Sequence, residues 1–217
     1  MILSRGRRYI FIHIPKTGGT ALTLALEARA MKDDILVGDT PKARARAARQ
    51  KGLATAGRLW KHATLADIDG LVQAEELAEF FIFTLVRNPW DRMVSYYHWL
   101  QGQNFGHPAV ALAKGLGFSA FLAHPDTQES FRRWPASAYL RGADGQGHGR
   151  LYARLEHLEQ DLAPLEAHLG FALTPLARAN ESTRPRDWRG LYSDRDAELV
   201  AAICAEDIAR FGYHFDR

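Results

Sequence analysis

One cysteine, Cys204, stands in 217 residues. A lone thiol cannot build an internal disulfide framework, and such sparing use fits a reducing compartment, so a cytoplasmic location is expected. Long apolar runs are also missing: none approaches the roughly 20 residues that a membrane-spanning helix needs. Basic residues precede Tyr9–Ile14, but that run is too short for the apolar part of a secretory leader, and none is expected. The nine histidines are scattered without HExxH spacing, so no metal site is expected. The Walker pattern G-x-x-x-x-G-K-[ST] is absent too. Net charge is only +3, which by itself says little about nucleic acid, and no such partner is expected. No repeat or linker interrupts the chain, which reads as one domain over residues 1–217. With 47% hydrophobic residues it can bury a sizeable core. Abundant arginine and alanine suggest a GC-rich bacterial genome.

What is present is organised around residues 9–28, YIFIHIPKTGGTALTLALEA. Tyr9–Ile14 reads as a short buried strand that Pro15 ends. Gly18 and Gly19 permit backbone conformations that other residues resist. Thr20 can cap a helix over Ala21–Ala30. Strand, glycine loop and helix in that order aim backbone N–H groups and the positive helix end at one spot. Lys16 adds a charge, and Thr17 and Thr20 add hydroxyls. Such a loop suits a phosphate or sulfate group, although a plain glycine turn in any α/β protein would look the same.

Farther on, Ile35–Val37 reads as a second strand. Residues 42–61 carry seven basic side chains and no acidic one, either a solvated helix or loop or a surface for an anionic ligand. Thr64 and Asp67 fit a cap ahead of a short helix. His62 stands just before them; it is either a packed histidine or a general base, for which its near-neutral pKa qualifies it. The second anchor is residues 80–99, FFIFTLVRNPWDRMVSYYHW. Phe80–Val86 has the look of a central parallel strand buried on both faces. Asn88-Pro89 breaks it and opens a helix over Trp90–Leu100. Ligands of open α/β sheets bind at the carboxyl ends of strands, so Lys16 and Arg87 are predicted on one rim. Ser95 shares a helix face with Asp91 and Arg92; Arg87 could equally pair with a carboxylate and Ser95 be a packed hydroxyl. Residues 101–150 read as short helices, at Ser119–Ala123 and Ser130–Leu140, in a substrate-side insertion or lid. A strand over residues 151–156, a helix over Leu158–Leu169 in which Pro164 opens a second short helix or makes a kink, a polar loop at residues 180–190 and a last helix from Ser193 to Gly212 complete the chain.

Together, PKTGGT after the first strand and RNPWDRMVSYY after the later one resemble the two signatures of sulfotransferases that use 3′-phosphoadenosine 5′-phosphosulfate (PAPS). The chain is most similar to the bacterial and carbohydrate-type sulfotransferase family 2 group, a likeness that extends to LYARLEHLEQDL and to the last helix. It implies an α/β, P-loop-like three-layer fold with a central parallel sheet flanked by helices. It also implies transfer of a sulfuryl group from PAPS to a hydroxyl-bearing acceptor such as a sugar or glycolipid, without a metal. By that resemblance Lys16, Thr17, Gly18, Gly19 and Thr20 bind the 5′-phosphosulfate, and Arg87 and Ser95 the 3′-phosphate. His62 matches a catalytic base, and Ser182, Thr183 and Arg184 match a segment that closes over the nucleotide. The readings left beside it are a P-loop-like nucleotide kinase, which should show G-K-[ST] and a Mg²⁺ carboxylate, and a nucleotide- or polyanion-binding protein without catalysis.

Overall fold

The computed structural model describes residues 1–176 and 187–215. The chain forms two compact units, one of Met1–Val86 with Ala136–Asn180, the other of Arg87–Pro135 with Glu181–Arg217.

The first unit is built on a sheet of β1 (Ile2–Ser4), β2 (Tyr9–Phe11), β3 (Ile35–Leu36), β4 (Phe81–Val86) and β5 (Leu151–Arg154), ordered β3-β1-β2-β4-β5. β2, β4 and β5 run parallel, while β1 is antiparallel to both its neighbours. The sheet is therefore mostly parallel in a mixed α/β architecture. β4 is the interior parallel strand, as its unbroken apolar run predicts. β1 departs from the expected pattern: Ile2 and Leu3 are too few to register as a strand, and pairing with β2 rather than local sequence makes them one. Alternate residues fill the two faces. Tyr9, Phe11, Phe83 and Leu85 share one core cluster with Leu22 and Leu26 of α1 (Gly19–Ala28) and with Leu165 and Leu169 of the helix Ala163–Leu169. Ile10 and Ile82, paired in register, are completely buried on the other face.

Local signals set most element ends. α2 (Pro41–Arg46) has proline in its first turn and Thr40 as its cap, the hydroxyl accepting the Ala43 N–H. Of the two outcomes expected at Pro164 the chain takes the second short helix: Leu158–Asp161 is followed by Ala163–Leu169, with Pro164 in the new first turn. Thr64 and Asp67 do exchange cap-like hydrogen bonds, but the segment closes a turn instead of a helix.

In the second unit α3 (Pro89–Gln101) starts where expected, Asn88 accepting the Trp90 N–H. Trp90 is buried; its indole donates to the Ala197 carbonyl, and its own carbonyl accepts from the Tyr192 hydroxyl. The helix expected over Ser130–Leu140 is not continuous: Pro125–Arg133 lies in this unit, Trp134 and Pro135 follow it, and the helix Ala136–Tyr139 belongs to the first unit. Ser193 forms its capping box with Asp196, but the last helix breaks at Cys204 into Asp194–Ile203 and Ala205–Phe211. Among the described residues no helix is long and apolar enough to cross a membrane.

Candidate active site

Past the carboxyl end of β2 the chain turns at Pro15 and Lys16 and enters α1. Lys16 has φ 66°, a left-handed conformation that costs a residue with a Cβ about 1–2 kcal/mol. Backbone strain of this kind clusters at active and ligand-binding sites, and Arg8, in the turn between β1 and β2, shares it with φ 50°. Gly18 is the cap residue of α1, with φ 80° and no side chain to satisfy the first turn. This corrects the expectation that Thr20 caps the helix: Thr20 lies inside it. The uncapped N–H groups are available to an anion.

Both glycines are required by close neighbours. A Cβ on Gly18 would lie 2.6 Å from Leu155, just past the end of β5, and one on Gly19 would lie 2.5 Å from the His13 ring. The Thr17 hydroxyl is buried and donates to the Ile14 carbonyl, so it shapes the loop. The Thr84 hydroxyl on β4 donates to the Ile12 carbonyl and holds the extended stretch after β2 against the neighbouring strand.

His62 is half-buried beside this loop. Its Nδ1 lies 2.7 Å from the His13 carbonyl oxygen. A carbonyl only accepts, so Nδ1 carries the proton and Nε2 is the basic nitrogen of the neutral ring. The His13 and His62 rings meet edge to face at 4.8 Å, and Trp60 packs on His62 at 5.2 Å. Burial, with a smaller contribution from Lys61, lowers the His62 pKa to about 4. Basic neighbours are therefore the lesser cause, and Arg58 stacks over Trp60. His13 is buried, and burial first, then His62, holds its pKa well below the ordinary value. Lys61 pairs with Asp39 at 2.8 Å.

The basic stretch has a structural part. Lys42 donates to the Glu27 carbonyl, Arg46 to the Met31 and Asp34 carbonyls and Arg49 to the Lys32 carbonyl. These cations face the negative end of α1 and the turn after it. Asp161, in the family-like segment, accepts from the Arg154 backbone and from two nitrogens of its guanidinium, which holds the chain leaving β5.

Thus the first unit gathers Lys16, Thr17, Gly18, Gly19, Thr20 and His62. Arg87 and Ser95 belong to the second unit. Arg87 donates from Nε and Nη2 to Asp91 one turn along α3, at 2.8 and 2.5 Å, so the carboxylate partner weighed from the sequence is there. Ser95 is buried on the next turn. Ser182 and Arg184 lie outside the described residues. The sequence reading passed over His13 and Asp39. His13 had a usable signal, since it follows β2 at the strand end where ligands of such sheets bind. Asp39 had none, because only the fold brings it to Lys61. Among the described residues no group of three or more histidine, cysteine or acidic side chains gathers as a metal site.

No curated protein matches the chain. A family model described as the sulfotransferase family matches residues 1–214. With a match over nearly its whole length, the chain belongs to the sulfotransferase family, in its family 2 branch.

Proposed function

We propose that this protein transfers a sulfuryl group from PAPS to a hydroxyl of an acceptor, with His62 as general base. The observation that carries the reading is the His62–His13 hydrogen bond beside the glycine loop, which leaves Nε2 neutral and basic. The loop fits a phosphosulfate: its glycines bar a Cβ, its helix end is uncapped, and Lys16 supplies a cation. When bound, the donor supplies an electrophilic sulfur, whose bond to the 5′-phosphate oxygen breaks as the acceptor oxygen bonds to it. The acceptor proton passes to Nε2 of His62. Lys16 and the N–H groups of Gly18, Gly19 and Thr20 stabilise the charge that grows on the departing phosphate, each good donor contributing roughly 3 kcal/mol. Thr17 contributes through its backbone, since its hydroxyl is engaged by Ile14. Arg87, oriented by Asp91, and Ser95 grip the 3′-phosphate, and Ser182 and Arg184 close over the nucleotide. The reading takes the chain as one cytoplasmic, P-loop-like three-layer domain, with residues 101–150 on the acceptor side.

Calorimetry and turnover test it together. The spent nucleotide, 3′,5′-adenosine diphosphate, should bind without metal, whereas ATP with Mg²⁺ should bind weakly. His62→Ala should cut transfer of labelled sulfate by about a hundredfold to ten-thousandfold while leaving nucleotide affinity nearly unchanged. Lys16→Ala should impair both. Preference for ATP with Mg²⁺ would point to a kinase, and an unaffected His62→Ala enzyme would remove His62 as the base.

A further inference from the structure

The first unit contains a cavity of about 300 Å³. Two of its wall residues come from the machinery just described, Thr20 in the first turn of α1 and His13, whose carbonyl holds His62. The loop from Val37 to Pro41 forms another wall, and Lys61 lines it beside Asp39. Most of its hydroxyls are already spent: Thr23 donates to the Gly19 carbonyl and Thr40 to the Glu27 carboxylate. The ion pair of Asp39 and Lys61 is the charged feature of the lining, and Leu24, Val37 and Pro41 supply apolar surface.

This lining selects by charge. An anionic ligand would meet the Asp39 carboxylate, and a cationic one the Lys61 ammonium. A neutral molecule with adjacent hydroxyls suits both, one hydroxyl donating to the carboxylate and the next accepting from the ammonium. Its C–H face would cover the apolar wall. The volume sits at the lower end of the range for ligand pockets, which fits one ring and not the interior of a polymer.

We propose that this cavity seats the acceptor, a small neutral polyol, and that Asp39 and Lys61 are the pair that selects it. The inference rests on the sulfotransfer reading of the same site. His13 links the cavity to the rest of the site, since it lines the cavity and its carbonyl orients His62.

The test uses the full chain and three probes: methyl glucoside (neutral), glucuronate (anionic) and glucosamine (cationic). Binding is read by saturation-transfer NMR and calorimetry, with and without 3′,5′-adenosine diphosphate. Methyl glucoside should bind best, and Asp39→Asn should weaken it by about tenfold, as expected for a hydrogen bond to a charged group, with nucleotide affinity and melting temperature little changed. Leu24→Trp, at a partly exposed position, should fill the cavity and abolish sugar binding. No methyl glucoside binding to the wild type, equal binding to the wild type and Asp39→Asn, or tighter binding of either charged sugar would overturn the assignment. Failure of the nucleotide to bind would overturn the sulfotransfer reading instead, and the sugar arm without nucleotide still decides the cavity.

Discussion

The Nδ1 of His62 donates across 2.7 Å to the His13 carbonyl, while the His13 ring packs where a Gly19 side chain would have to go. One buried histidine thus fixes the tautomer of a second and requires glycine at the entrance of α1.

The first prediction concerns pH. In its proposed role as base His62 must be neutral, and its pKa is lowered to about 4 by burial. The acid limb of kcat/KM should therefore fall near pH 4, not near the ordinary histidine value of about 6.5. A limb centred between pH 6 and 7, or one unchanged in His62→Gln, would contradict this. Stability should move in the same direction. Between about pH 6.5 and 4 the unfolded chain binds more protons than the folded one, so stability falls as pH drops through that window. His13, shifted the same way, adds to the slope. Urea titrations across the window would measure it, and His62→Gln should flatten part of it.

A second prediction separates the two loop glycines. Gly18→Ala places a side chain at φ 80° and 2.6 Å from Leu155. Gly19→Ala is tolerable for the backbone but meets the His13 ring. Each should cost about 1–3 kcal/mol by thermal or urea unfolding. Gly19→Ala should also disturb the His62 titration seen by NMR, which Gly18→Ala should leave in place. Identical histidine spectra in both variants would break the link from Gly19 through His13 to His62.

Arg87 provides a third. Arg87→Ala should weaken 3′,5′-adenosine diphosphate far more than adenosine 5′-monophosphate, because only the former carries the group that the guanidinium would hold. Asp91→Asn should have a smaller effect in the same sense by releasing the Nε edge of Arg87. Equal losses for both ligands would leave Arg87 as a structural ion pair alone.

Fourth, the cations behind α1 should matter for folding and not for nucleotide. Arg46→Ala removes the donor to the Met31 and Asp34 carbonyls and should cost roughly 0.5–2 kcal/mol in urea titration. Affinity for 3′,5′-adenosine diphosphate should be unchanged. A loss of affinity without a loss of stability would return the basic stretch to the role of an anion-binding surface.

Much of this protein is decided locally and is therefore legible in sequence. The apolar run of β4, the proline and asparagine that open α3, the capping box at Ser193 and the glycine stops at Gly170 and Gly212 all depend on a few neighbouring residues. The glycine loop with Lys16 is legible for the same reason, because its backbone chemistry lies within one short stretch. Tertiary structure decided the rest. β1 exists because β2 and β3 flank it, not because Ile2 and Leu3 demand a strand. Lys42, Arg46 and Arg49 look like an anion-binding run until the fold lays them against the carbonyls at the end of α1 and in the turn after it. The state of His62 belongs to the fold most of all. Its low pKa comes from burial and its tautomer from a carbonyl 49 residues away along the chain. Sequence supplied a histidine of ordinary basicity, and desolvation together with one long-range hydrogen bond made its neutral ring present Nε2 as the basic nitrogen.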